Sequence, residues 1–152
     1  MQKTRKNLFI NGFVLFLFMT FSTISFSQIE GKWKTIDDET GEAKSIVEIW
    51  KANDNLYYGK IIKLFDETKV NDVCDECDED DPRYKKPIVG MVIIRKMEKV
   101  DDNEWDEGDI LDPANGKVYD CKMWRDGKNL QVRGYIGWSL IGRSQTWLPA
   151  GK

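Results

Sequence analysis

The sequence contains no histidine. That one absence removes the Ser-His and Cys-His nucleophile pairs, imidazole acid–base catalysis and His-ligated zinc or copper. Phenylalanine is scarce in an uneven way: six of the seven lie before residue 28, leaving Phe65 alone beyond it, while all six Trp and all five Tyr come later. Cysteine is limited to Cys74, Cys77 and Cys121. After residue 27 no segment keeps a helical period, and no apolar run approaches the roughly 20 residues of a membrane-spanning helix.

The one long apolar run lies at the start. Lys3, Arg5 and Lys6 precede Leu8–Phe26, no acidic residue occurs before Glu30, and Ser25-Phe26-Ser27 offers a small-x-small cleavage pattern. This reads as a secretory signal peptide over residues 1–27. The alternative is an uncleaved anchor, which Asn11 and Gly12 disfavour by shortening the strictly apolar part. The expected location is therefore periplasmic or secreted. The leader carries three of the 23 basic residues and none of the 26 acidic ones, so net charge moves from −3 to −6 on its removal. An acidic chain without clustered Lys and Arg is a poor partner for nucleic acid. The remaining 28–152, about 125 residues, make one domain.

That domain breaks into short runs rich in β-branched and aromatic residues. Strands are expected near 31–36, 44–51, 55–65, 88–98, 106–111, 117–124, 129–136 and 140–148. Turn chemistry separates them, including Asp112-Pro113-Ala114-Asn115-Gly116 and Asp126-Gly127-Lys128. Asn-Gly and Asp-Gly suit the positive φ of a type I′ hairpin turn. Short connections make successive strands antiparallel neighbours. The expected fold is all-β: a single antiparallel up-and-down barrel of about eight strands, closed so that no edge is left exposed. An incomplete barrel and a two-sheet sandwich are the alternatives. Alternation places Tyr119, Cys121 and Met123 on one face, and Ile141, Arg143, Gln145 and Trp147 on one face. The run 88–97 is apolar on both sides, which means cover on both sides or a contact surface.

Residues 66–87 show neither period and hold nine acidic residues. Loops of that length tend to be functional or disordered. Cys74 and Cys77 within it have three readings. In an oxidising compartment the default is a disulfide. A redox pair would need a cation or helix N-terminus to stabilise the thiolate, whereas Asp75, Glu76, Asp78 and Glu79 do the reverse. A zinc site would have to recruit Cys121 and carboxylates. Calcium is not expected, since the acidic run lacks the glycine and closing glutamate of an EF-hand loop. No metal and no cofactor is expected, and Cys121 reads as a buried, inert thiol.

Gly31-Lys32-Trp33, paired with Arg143 late in the chain, resembles the calycin signature of lipocalins, in which a first-strand Trp packs beneath the barrel and a late Arg lies across it. The chain further resembles the bacterial family known as domain of unknown function 2147. Asp112–Tyr119, Arg133-Gly134-Tyr135-Ile136-Gly137, Gly142–Trp147, Pro87-Ile88-Val89-Gly90 and the two close cysteines carry that likeness. The resemblance implies a secreted or periplasmic, lipocalin-like barrel, and brings no activity, substrate or catalytic residue with it.

Asp112, Asn115 and Gly116 are explained by turn geometry, and Trp33 by packing. Arg133, Arg143, Gln145, Trp147 and Tyr119 are the candidate ligand-binding residues. An inward Arg143 and Gln145 would give the interior a cationic, hydrogen-bonding patch suited to a carboxylate or other anion. The competing reading pairs each Arg with a carboxylate, or lays Arg143 on Trp33. Three functions follow: a barrel binding a small anionic or amphipathic ligand; an envelope interaction module using the acidic 66–87 loop or the apolar 88–97 strand; and an enzyme working with carboxylates alone. The last has no identifiable residue pair, so no enzyme is expected.

Overall fold

The computed structural model describes residues 28–137 and 141–151. The proposed signal peptide lies outside the described residues. Eight strands run in chain order: β1 (Gly31–Ile36), β2 (Ala43–Lys51), β3 (Tyr57–Leu64), β4 (Val92–Asp101), β5 (Glu104–Asp112), β6 (Lys117–Asp126), β7 (Asn129–Tyr135) and β8 (Gly142–Pro149). Each pairs antiparallel with the next. The ring closes where Trp33 meets Pro149 and Lys34 meets Leu148, with the Ala150 N–H donating to the Lys32 carbonyl at 2.9 Å. Closure satisfies the edge groups that an open sheet would leave unpaired. Among the described residues no helix is long and apolar enough to cross a membrane.

The expected strands are found, β1 with both ends as expected and no end moved by more than four residues. Turn types differ from expectation. Gly127 and Lys128 alone join β6 to β7, and only Gly127 has positive φ, 58°. That is the pattern of a type II′ turn, not the expected I′. Between β5 and β6 four residues intervene, and only Gly116 is left-handed, at φ 68°.

Alternation sends Trp33, Thr35, Ser45, Val47, Ile49, Tyr57, Ile61, Cys121, Met123, Leu130, Val132 and Trp147 inward, all buried. Two bulges modify the pattern. Lys96 in β4 and Glu107 in β5 are non-glycine residues with φ 57° and 64°. Each adds one residue to its strand, so Ile94 and Met97, three apart, are both fully buried. Simple alternation would have put them on opposite faces.

Alternate connections share an end. Residues 37–42, 65–91, 113–116, 136–137 and 141 lie at what we call the mouth; 52–56, 102–103 and 127–128 form the base. The long 65–91 connection folds back on the barrel, bonding β3 at Ile61 and β4 at Val92 and touching the β5–β6 turn at Pro113. It contains a short 3-10 turn at Glu67–Lys69, a β-bridge between Val73 and Pro87, and a disulfide joining Cys74 to Cys77. Both cysteines, Met91 and Ile93 are buried in the main core cluster, with Tyr84 and Ile88 packed against it. The apolar run 88–97 is thus not a contact surface, as one alternative had it. Its inward side chains fill the barrel, and its outward Ile93 lies beneath the chain's own loop.

Arg83 pins this loop. It is buried, its Nε and Nη2 donate to Asp81 at 2.8 and 2.6 Å, and Nη1 donates to the Val92 carbonyl at 3.3 Å. The guanidinium holds the Asp81 carboxyl down at about 2. Because the folded value lies below the unfolded one, this pair stabilises the fold above about pH 4 and is lost as pH falls towards 2. Asp81→Asn should therefore lower neutral-pH stability by about 1 kcal/mol after solvent screening, with the difference from wild type vanishing near pH 2. Urea melts at pH 7 and pH 2.5 check this; an equal gap at both would refute it.

Candidate mouth site

β8 runs from the mouth into the barrel, and its inward residues form a graded column. Arg143 lies opposite Gly134, Gln145 opposite Val132 and Trp147 opposite Leu130. The Arg143 side chain is 56% exposed, Gln145 is half-buried and Trp147 is 1% exposed. The column thus passes from a cation at the mouth, through an amide, to a buried indole. Trp147 Nε1 donates to Gln145 Oε1 at 3.1 Å. Since an indole can only donate, this contact fixes the amide and turns Gln145 Nε2 away, towards the mouth.

There it meets Asp38, from the β1–β2 turn. Gln145 Nε2 lies 3.5 Å from Asp38 Oδ1, and Arg143 donates to the same carboxylate from both Nε and Nη2. Glu39 Oε1 stands 3.9 Å from Arg143 Nη2. The Arg143 hydrogen bonds lower the Asp38 pKa and raise that of Arg143. Of the five candidate ligand-binding residues, Arg143, Gln145 and Trp147 therefore form one connected set.

The other two do not join it. Arg133 sits one position off the inward row, opposite Lys122 and Ser144 on the outer face, where its Nη1 donates to Ser144 Oγ at 2.9 Å. Its neighbours Val132 and Leu130 are buried, so strand alternation sends Arg133 outward. Tyr119 is half-buried near the mouth, and its hydroxyl accepts from Asn115 Nδ2 at 3.2 Å. That bond ties it to the β5–β6 turn. In the same turn Asp112 accepts from the Ala114 N–H and Asn115 Nδ2, while Asn115 Oδ1 accepts from the Lys117 N–H. Asp112 and Asn115 thus cross-brace the turn, and Gly116 supplies its left-handed residue.

Trp33 requires a correction. It is buried near the base, donating from Nε1 to the Ile29 carbonyl at 2.8 Å, but the arginine across it is Arg125, 4.8 Å from the ring centroid. Arg143 cannot reach it, because β8 begins at the mouth and Trp33 lies at the other end. β6 runs from mouth to base and delivers Arg125 there. Counting strand directions would have found this residue; proximity to the chain terminus points to the wrong one. Partial burial lowers the pKa of Arg125, whose Nη2 also donates to the Gly127 carbonyl.

Two further features, a depression at the base and the unpartnered indole of Trp105, had no sequence signal. A shallow depression of about 250 Å³ lies at the base, lined by Asp101, Asp102, Asn103, Glu104, Trp124 and Arg125. The third inward indole, Trp105, is fully buried, yet its Nε1 has no hydrogen-bond partner among the described residues. Tyr57 stands edge-on to it at 5.9 Å. Cys121 is fully buried between Gly108 and Gly134, and burial pushes its thiol far above the ordinary range. Among the described residues no three His, Cys, Asp or Glu side chains are grouped to hold a metal ion.

The architecture resembles a solved structure from the human pathogen Helicobacter pylori, a protein described as belonging to the lipocalin family. The TM-score is 0.71 at 19% identity, covering 82% of this chain and 84% of that one. Identity at that level carries the barrel fold alone. No curated protein sequence matches. Residues 31–148 match the model of the family described as "Uncharacterized protein conserved in bacteria (DUF2147)". That span takes in every strand except the last residue of β8, and the chain belongs to this bacterial family.

Proposed function

We propose that this is an exported binding protein, not an enzyme, which takes a small anionic, amphipathic molecule at the barrel mouth. The observation that carries the reading is the inward column of β8, where Arg143 and Gln145 stand directly above buried Trp147. A guanidinium and an amide suit a charged head group, and buried Trp147 gives them an apolar floor. Export to a periplasm or beyond is supported by the leader-like first 27 residues and by the Cys74–Cys77 disulfide.

The test is Arg143→Gln, with binding of 8-anilinonaphthalene-1-sulfonate followed by fluorescence. The variant should keep its β-sheet spectrum and lose at least tenfold in affinity, as expected for removal of a charged hydrogen-bonding partner. Unchanged affinity would refute the mouth site.

One observation favours a second reading. Asp75, Glu76, Asp78, Glu79 and Asp80 are all exposed on the disulfide-braced turn, a fixed acidic surface suited to a basic envelope protein. Native mass spectrometry of protein from its own host separates the two: a small-molecule adduct supports the first, a co-purifying protein on an apo barrel the second.

A further inference from the structure

We propose that Asp38 is a built-in occupant of the Arg143–Gln145 subsite, and that the physiological ligand displaces it with a carboxylate of its own. This rests on the mouth-site reading above. Three donors, Arg143 Nε, Arg143 Nη2 and Gln145 Nε2, converge on the two oxygens of one planar carboxylate. The guanidinium edge is a flat fork matched to such a pair of oxygens. Gln145 is already oriented for the task by Trp147 and does not depend on Asp38 for its direction.

The turn that carries Asp38 does not need Asp38 to hold its shape. Its neighbour Asp37 does that work. The Asp37 carboxylate accepts from the Glu39 and Thr40 N–H groups at 3.0 and 2.8 Å and pairs with Lys44 at 2.6 Å. Its main chain bonds Gly41 and Glu42 at 2.8 Å each. Asp38 can therefore let go while the turn stays folded. The contact is also easy to break, because both partners are exposed to solvent, at 56% and 34% of their side-chain surface. An internal carboxylate at this position keeps Arg143 paired when the site is empty. It raises the threshold a ligand must overcome, and rejects anions that cannot match its planar geometry.

Octanoate and octyl sulfate, titrated calorimetrically below their micelle concentrations, supply the probes. Asp38→Asn should bind octanoate about fivefold more tightly than wild type, the scale of an exposed ion pair removed. The double variant Asp38→Asn/Glu39→Gln covers the case in which Glu39, 3.9 Å away, swings in to replace Asp38. Octanoate should also outbind octyl sulfate in both variants. If neither variant gains affinity while Arg143→Gln still loses it, the occupant role is overturned and the mouth site stands. Loss of the β-sheet spectrum in Asp38→Asn would likewise overturn it, by showing a structural tie. Equal binding of the two probes overturns the carboxylate preference. Octanoate binding that Arg143→Gln leaves intact overturns the site and its occupant together.

Discussion

Gly116→Ala should lower the stability of the barrel by about 4 kcal/mol, because its added methyl makes the tightest clash of any described glycine. Gly116 has φ 68°, where an L side chain costs about 1–2 kcal/mol on its own. The larger part comes from what the methyl would strike. An added Cβ would lie 1.6 Å from the Glu76 carbonyl oxygen and 2.6 Å from the Cys77 nitrogen. These are main-chain atoms of the disulfide turn and cannot rotate aside. The Cys74–Cys77 bond stiffens that turn, so relief requires the whole acidic loop to lift from the β5–β6 hairpin. Lifting it would uncover Cys74, Cys77, Met91 and Ile93, all now buried. For a domain of this size, about 4 kcal/mol corresponds to roughly 15 °C in melting temperature. Differential scanning calorimetry measures it; a shift under about 4 °C would mean the loop is not seated as described. Gly127→Ala is the matched control. It shares the positive φ, 58°, but its added Cβ meets nothing within 4 Å, so only the conformational cost applies.

The same contact shows what the sequence could and could not disclose. Asp112-Pro113-Ala114-Asn115-Gly116 is legible as a turn because each residue's preference is local. That the turn docks against Glu76 and Cys77, about forty residues earlier, is a long-range contact without local signature. The barrel was legible for a related reason: eight alternating strands with short connections have few ways to hide their edges. Bulges escaped because a single residue entering the left-handed region, Lys96 or Glu107, leaves no mark in composition and yet reverses the facing of everything after it. The β8 column was legible, since Arg143, Gln145 and Trp147 needed only alternation. Asp38 was not, because an acidic turn residue among Asp37, Glu39 and Glu42 carries nothing to mark it as the one that reaches Arg143.

The two arginines at opposite ends of the barrel should respond to substitution to different degrees, and Trp33 sets the scale. Trp33→Ala should destabilise by about 3–5 kcal/mol, as expected for a large buried aromatic removed from a core. It deletes a 4% exposed ring, the hydrogen bond to the Ile29 carbonyl and the surface on which Arg125 lies. Arg125→Ala removes only the lid of that arrangement. Its cost should be about 1–2 kcal/mol, from the lost cation–π contact and the aliphatic stem. Combined, the two changes should cost less than the sum of the singles, because each removes the other's partner. Arg143→Ala, by contrast, breaks a solvent-exposed ion pair and should stay within about 0.5 kcal/mol of wild type. Guanidinium melts of the four variants decide the matter. If Arg143→Ala proved as costly as Arg125→Ala, Arg143 would be a structural plug and its pairing with Asp38 would not be exchangeable. If Arg125→Ala proved silent, Trp33 would owe its place to Ile29 and core packing alone. The expected pattern leaves the base closed by Trp33 and Arg125, and leaves the mouth arginine with a partner it can exchange.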